Sequence, residues 1–242
     1  MPKIYIVGIG PGSYEQMTIK AARTLELCDV IVGYHVYTDL VMPHYPDKEY
    51  LSTPMTKEAD RCRMCFEEAM KGKTVAIICS GDAGVYGMAE LMLGIGRDYP
   101  DVLLETVCGV TAAVSGAALL GAPLIQDFAV ISLSDRLTPW EKIEKRIRAA
   151  AQADMVICLY NPSSRARHDY LQRACDLILG FTSGETVCGI AENIGRAGES
   201  CSLHTLRELR DIPVNMFSTV FIGNSQTCII NGKMVTPRGY RL

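Results

Sequence analysis

The sequence predicts an α/β fold of two domains, and three observations carry that prediction. Short apolar runs rich in β-branched residues alternate with helix-period segments through the first half. Glycine-rich turns follow three of those runs. The second half keeps the alternation but closes on neighbouring strand-like runs and an Asn231-Gly232 turn, a strong hairpin signal. A first domain is therefore expected over residues 1–122, with a mostly parallel sheet. A second is expected over 123–242, with a mixed sheet and antiparallel edge strands.

In chain order, Lys3 to Ile9 reads as a strand that ends in Gly8-Ile9-Gly10-Pro11-Gly12. Thr18 to Glu26 has helical spacing, with Ile19, Ala22 and Leu25 on one face. Asp29 to Val32 is a second strand, and Gly33-Tyr34-His35-Val36-Tyr37 reads as a loop. A helix over Glu58 to Lys71 leads to the strand Thr74 to Cys79, and Ser80-Gly81-Asp82-Ala83-Gly84 turns into a helix from Val85 to Ile95. Val102 to Val107 is a strand, and Gly109-Val110-Thr111 opens a helix of small residues, Ala112 to Leu120. The pattern changes at Gly121-Ala122-Pro123, so the domains are expected to meet near residues 121–127.

Beyond it come a strand from Phe128 to Ser132 and a helix announced by Thr138-Pro139-Trp140-Glu141. There Thr138 is the expected cap, Pro139 the first helical residue and Glu141 the partner in a capping box. Met155 to Leu159 is a strand, Arg165 to Leu179 a helix and Thr186 to Ala191 a strand. Thr205 to Arg210 is a short helix with a capping box to Glu208. Phe217 to Gly223 and Ser225 to Ile230 are strands, the latter turning at Asn231-Gly232 into Met234-Val235.

Composition narrows the function classes. The 242 residues carry a formal net charge of −3, which removes the electrostatic footprint of a general nucleic-acid binder. No apolar run approaches the roughly 20 residues that a membrane helix needs. Met1-Pro2-Lys3 leads straight into a strand-like run, so no signal peptide is expected and the protein is read as cytoplasmic. Its ten cysteines are then expected to be reduced thiols, most of them acting as small hydrophobes. Cys62 and Cys65 share one helix face, but a metal site needs about four ligands and no second pair or histidine cluster supplies them. His44, His168 and His204 have no metal-ligand spacing, so no metal site is expected.

Gly8-Ile9-Gly10-Pro11-Gly12-Ser13 is not the dinucleotide fingerprint. Ser13 stands where the third glycine belongs, Asp29 begins a strand instead of ending one, and Pro11 removes an amide. Two readings remain: a tight strand-to-helix turn, or a rigid loop that something approaches closely. Cys79 to Gly87 lacks the Gly-Lys-Ser/Thr of a phosphate loop, and Asp82 is placed to cap the following helix. Together with Cys108-Gly109-Val110-Thr111, these loops would line a crevice at the carboxyl ends of strands. Such a crevice suits a bulky, weakly charged ligand held through backbone groups better than a phosphate.

The three loops resemble those of the tetrapyrrole methylase family, the class III S-adenosylmethionine-dependent methyltransferases. The family's glycine-proline loop is matched by Val7-Gly8-Ile9-Gly10-Pro11-Gly12, its Gly-Asp-Pro loop by Gly81-Asp82-Ala83, and its Pro-Gly-x-Thr-Ala loop by Cys108-Gly109-Val110-Thr111-Ala112. Three stretches resemble the branch that methylates C17 of precorrin-3B or cobalt-factor III in cobalamin biosynthesis. They are Ser80 to Met88, then Ile131-Ser132-Leu133-Ser134-Asp135 with Thr138-Pro139-Trp140, and Leu159-Tyr160-Asn161-Pro162.

The resemblance implies a homodimer that binds folded S-adenosylmethionine in a cleft between the two domains. It implies that Pro11 lines the cofactor pocket, that Ser80, Gly81, Asp82 and Val85 touch the cofactor, and that Thr111 and Ala112 hold its methionine end. Tyr160 and Ile194 would form the second-domain wall near the adenosine. S-adenosylhomocysteine would be the product. Two residues depart from the family pattern: Cys108 replaces a proline, and Tyr34 stands where uroporphyrinogen methylases have an aspartate proposed as a base. The associated ring contraction needs acid–base help, for which Tyr34 and His35 are the candidates. Arg165 and Arg167, with His168 and with Arg136 behind them, are candidates for the substrate's carboxylates, against the alternative of a solvated helix start. Two other readings stay open: a methylase acting at another ring carbon, and a non-catalytic tetrapyrrole- or metal-binding protein.

Overall fold

The computed structural model describes residues 1–164 and 168–240. It divides into two compact units, Met1–Thr111 and Ala112–Leu242. The division falls earlier than residue 122 because the helix Ala112–Leu120 buries Ala113, Gly116, Ala117 and Leu120 against strands of the second unit.

In the first unit, β1 (Lys3–Gly8), β2 (Val30–Tyr34), β3 (Glu49–Thr53), β4 (Thr74–Cys79) and β5 (Leu103–Val107) form one parallel sheet in the order β3-β2-β4-β1-β5. Helices α1 (Ile19–Leu27), α2 (His35–Val41), α3 (Glu58–Met70) and α4 (Ala89–Ile95) connect them. Both faces of the sheet are covered. Ile4, Ile6, Val75 and Ile77 pack with Phe66 and Met92 on one side, and Val7, Ile31, Ala76 and Ile78 with Leu25 and Val41 on the other. Burial on two faces is why these strands read as continuous apolar runs; each fully buried isoleucine contributes about 2 kcal/mol.

Four expectations for this unit are corrected. Tyr34 ends β2 and His35 starts α2, where a loop was expected. In α1 the buried face is Ala21, Thr24 and Leu25, leaving Ile19 exposed. α4 starts at Ala89 and not at Val85, because Tyr86 has a left-handed φ of 53° that a helix cannot accommodate. The N-cap of α4 is accordingly Met88, and Asp82 does not cap it.

The second unit contains α5 (Ala112–Leu120), β6 (Gly121–Ala122), β7 (Phe128–Ser132), α6 (Trp140–Gln152), β8 (Val156–Tyr160) and α7 (Tyr170–Ile178). It continues through β9 (Val187–Glu192), β10 (Ser200–Thr205), α8 (Leu206–Leu209), β11 (Ser218–Ile222), β12 (Cys228–Ile230) and β13 (Lys233–Val235). Its main sheet runs β10-β9-β11-β8-β7, with only β7 and β8 parallel. A small sheet, β12-β13-β6, carries the expected hairpin, with Asn231 and Gly232 at φ 50° and 74° as a primed turn requires. One face of the main sheet packs α6, α7 and α8; the other packs α5.

Close approach of α5 requires glycine. A Cβ on Gly116 would meet Phe221 at 2.9 Å, and one on Gly189 would meet Leu120 at 2.7 Å. The capping box from Thr205 to Glu208 is present. Thr138 does not cap α6; Pro139 occupies the N-cap with an extended backbone. α7 begins at Tyr170, so His168 and Asp169 precede it, and Arg165 and Arg167 lie outside the described residues. No helix among the described residues is long and apolar enough to cross a membrane.

Burial decides the chemistry of the cysteines. It pushes the thiols of Cys28, Cys62 and Cys175 up to about 12 and that of Cys79 to about 11, and it also raises Cys65, Cys158 and Cys188. Cys62 and Cys65 are wholly buried and pack in the core with Phe66. A raised thiol stays protonated in the folded chain while its unfolded counterpart ionises, so the stability it contributes is present below about pH 9 and lost above. Each such thiol removes about 1.4 kcal/mol per pH unit, against a total of about 5–15 kcal/mol. Urea midpoints are therefore expected to be level from neutral pH to about pH 8.5 and to collapse within about two units above pH 9. A midpoint still level near pH 11 would contradict this account of the core.

Candidate functional site

The three glycine loops leave the carboxyl ends of β4, β1 and β5, which are adjacent in the first sheet. Gly10 and Gly81, with φ of 75° and 70°, exchange two backbone hydrogen bonds: the Gly10 amide donates to the Gly81 carbonyl at 3.1 Å, and the Gly81 amide to the Gly10 carbonyl at 2.7 Å. A Cβ on Gly8 would lie 2.6 Å from the Gly81 carbonyl oxygen and 2.8 Å from the Gly109 amide. One on Gly109 would lie 2.5 Å from the Gly8 carbonyl oxygen. What approaches these glycines is thus the backbone of the neighbouring loops. The three turns form one knot of main chain, without side chains between them.

Asp82 fastens the knot. Its Oδ1 accepts from the Gly84 amide at 2.8 Å and its Oδ2 from the Gly109 amide at 2.9 Å, tying the loop after β4 to the loop after β5. Thr18 adds a second tie: it caps α1 by accepting from Ala21 at 3.1 Å and donates to the Cys108 carbonyl at 3.1 Å. Pro11 is buried beside the knot, and Ser80, Val85 and Thr111 sit half-buried around it. The rim therefore offers main-chain donors and acceptors with short polar and apolar side chains. No lysine or arginine stands in these loops. That set can hold a neutral or zwitterionic ligand without a charged side chain.

One strand beyond β4 along the same edge, Tyr34 closes β2. Its ring meets His35 at 4.3 Å and Tyr37 at 5.4 Å, both edge-on. His35 is exposed and Tyr34 half-buried. The guanidinium of Arg61, a residue only 4% exposed, lies 5.9 Å from the Tyr34 ring centre.

In the second unit the Tyr160 hydroxyl accepts from the Ala113 amide at 2.6 Å, satisfying one of the free N–H groups at the start of α5. Ala112, Tyr160 and Ile194 belong to one apolar cluster, in which Ile194 is 5% exposed. Three of the residues that the resemblance assigns to the cofactor are thus gathered on one side of this sheet. Tyr160→Phe leaves the Ala113 amide without its acceptor and is expected to cost about 1–3 kcal/mol in urea unfolding, with the fold retained. An unchanged midpoint would show that this hydrogen bond does not hold α5.

The Ser-Leu-Ser-Asp, Thr-Pro-Trp and Tyr-Asn-Pro stretches also meet. Asn161, at φ 52°, donates to Ser132 Oγ at 2.9 Å, and that oxygen accepts from the Ser134 amide at 3.2 Å. The Tyr170 hydroxyl donates to Asp135 at 2.6 Å, and this carboxylate holds the phenol above its ordinary value. Trp140 packs on Tyr170 at 4.6 Å, and the Arg173 guanidinium stands 4.0 Å over Trp140. Arg136 is exposed. Tyr170 and Arg173 carry no signal in the sequence, because the helix expected from Arg165 makes them ordinary mid-helix residues, whereas α7 starts at Tyr170. Arg61 escaped because a charge in the first turn of a helix reads as solvated.

A parallel sheet whose carboxyl edge carries a glycine knot, followed by a mixed second unit, defines an α/β architecture of the class that binds ligands at its strand ends. The chain belongs to the tetrapyrrole (corrin/porphyrin) methylases, whose family model matches residues 3–210. Over 238 residues it is 47% identical to a protein of Salmonella typhimurium described as a probable cobalt-factor III C(17)-methyltransferase, covering 98% of this chain and 99% of that one. Over 244 residues it is 41% identical to the cobalt-factor III methyltransferase of Priestia megaterium, covering 99% of this chain but 45% of that longer protein. The crystal structure of the methyltransferase CobJ matches it with a TM-score of 0.90 at 29% identity, over 98% of this chain and all of that one. The chain is a methyltransferase of this family.

Proposed function

We propose that the chain transfers a methyl group from S-adenosyl-L-methionine to C17 of cobalt-factor III, with the associated contraction of the ring, in cobalamin biosynthesis. The observation that carries this reading is the near end-to-end match to the Salmonella relative. Precorrin-3B, the metal-free counterpart, is the alternative substrate. We further read the protein as a cytoplasmic homodimer.

The cofactor contacts are assigned loop by loop. Pro11 and Val85 offer apolar wall, Ser80 and Thr111 offer hydroxyl groups, Gly81 offers close approach to main chain that no side chain covers, and Ala112 begins the helix that meets the methionine end. Asp82 acts by bracing the loops, since each of its oxygens already receives an amide. Tyr160 and Ile194 present the wall of the second unit. When bound, S-adenosyl-L-methionine supplies a methyl group already activated by its sulfonium. The protein's part is to hold the reacting ring carbon in line with that methyl and to keep water away. Tyr34 and His35 are proposed to move protons during the contraction. Arg136, Arg165 and Arg167 are proposed to take substrate carboxylates.

Titration with S-adenosylhomocysteine tests the placement. Wild-type protein is expected to bind it one to one, and Thr111→Trp to lose that binding. Equal affinity in the two proteins would overturn the assignment of the loops.

A further inference from the structure

The first unit holds a buried cation with no anion. Arg61 lies in the first turn of α3 and is 4% exposed, yet no carboxylate among the described residues lies within ion-pair distance of it. Its neighbours on the helix are committed elsewhere: Glu58 accepts from the Thr56 amide, and Asp60 pairs with Lys57 and Arg63. Arg61 Nε donates to Thr53 Oγ1 at 3.0 Å, and Nη2 to the carbonyls of Pro54 at 3.1 Å and Thr53 at 3.5 Å. Nη1 has no acceptor among the described residues, and it is not sealed from solvent.

A buried charge is normally paired, because three neutral acceptors do not replace the hydration of a guanidinium. A turn could be held as well by a neutral donor, so bracing Thr53 and Pro54 does not explain the charge. The position does. Thr53 and Tyr34 are register partners at the carboxyl ends of β3 and β2, and β2 lies beside β4, whose loop belongs to the glycine knot. Strands stand roughly 5 Å apart, so Arg61 reaches the same edge of the sheet within the span of a tetrapyrrole. Beside it stands the Tyr34 ring, its centre 5.9 Å from the guanidinium carbon, and Nη1 keeps charged N–H donors from which a carboxylate oxygen can accept.

We propose that Arg61 is a specificity-determining residue that takes a carboxylate arm of the macrocyclic substrate through Nη1, beside the Tyr34 ring. The inference rests on the reading that the substrate is a tetrapyrrole carrying several carboxylates. It assigns to the first unit a substrate anchor separate from Arg136, Arg165 and Arg167 of the second.

The test compares cobalt-factor III with its fully methyl-esterified form, in wild type and in Arg61→Met and Arg61→Lys. Affinity for S-adenosylhomocysteine serves as the check on folding. In Arg61→Met the affinity for the acid form is expected to fall on the order of tenfold or more, while the ester and S-adenosylhomocysteine are bound as in wild type. Arg61→Lys keeps the charge and should keep most of the preference for the acid. If the methionine variant fails to bind S-adenosylhomocysteine, Arg61→Gln, which is neutral but polar, is read in its place. Equal weakening of acid and ester would assign Arg61 to packing and overturn the inference, as would a lysine variant that loses the preference completely. Wild-type protein that binds neither macrocycle while still binding S-adenosylhomocysteine would overturn both the inference and the substrate reading beneath it.

Discussion

Gly8→Ala is expected to abolish binding of S-adenosylmethionine and to destabilise the first unit by about 2–3 kcal/mol. The added methyl would stand 2.6 Å from the Gly81 carbonyl oxygen, 2.8 Å from the Gly109 amide and 2.9 Å from the Ala83 amide. All three are main-chain atoms of loops tied to one another, so no side-chain rotation relieves the overlap. The strands must separate or the loops must part, and either change dismantles the rim. Gly94→Ala supplies the contrast. It lies in α4 with open space around it, and there the same methyl is expected to stabilise by about 0.5–1 kcal/mol through the lost backbone freedom of glycine. Urea unfolding and cofactor titration of both variants decide the matter. A Gly8→Ala protein with wild-type stability and affinity would mean that the knot is looser than its geometry states.

Asp82→Ala is expected to have the next largest effect. It removes both acceptors that join the loop after β4 to the loop after β5, at a cost of about 2–4 kcal/mol for two amide-to-carboxylate hydrogen bonds. Asp82→Asn retains one oxygen, so it keeps the bond to Gly84 or the bond to Gly109 but not both. Its loss should fall near half. Cofactor affinity should follow the same order, wild type above asparagine above alanine, because the carboxylate acts by holding the rim in place. Alanine and asparagine variants that bind the cofactor equally well would remove Asp82 from that role.

Interior elements were legible because their physics is local. β1, β2 and β4 are buried on both faces, so their sequences are continuous apolar runs that admit little else. Two of the strands that the sequence does not mark, β3 and β10, are outer strands of their sheets. Glu49 to Thr53 and Ser200 to Thr205 are partly solvated and mostly polar, so neither period nor hydropathy marks them. The glycine loops were legible for a different reason. Glycine-rich turns after three strands read as the lining of one crevice, but that the loops' main chains meet one another follows only from the order of the strands.

Charged and aromatic contacts were not legible. Tyr34, Thr53 and Arg61 come together only through the pairing of β2 with β3 and the packing of α3, and nothing in their spacing predicts it. The same holds for Asp135, Trp140, Tyr170 and Arg173, which three separate loops and helices bring to one place. Asp82 looks like a helix cap in the sequence because Asp before a helix usually is one. Its partner across the chain, the Gly109 amide, is a tertiary fact.

The most direct measurement is transfer of a labelled methyl group. Purified protein is incubated with S-adenosylmethionine carrying a 13C methyl and with either cobalt-factor III or precorrin-3B, and the product is followed by mass and by carbon NMR. The expected result is one labelled methyl on C17, formed with preference for the cobalt-containing ring. A label at another ring carbon, or no transfer by protein that still binds S-adenosylhomocysteine, would contradict the proposed reaction while leaving the fold and the cofactor knot in place.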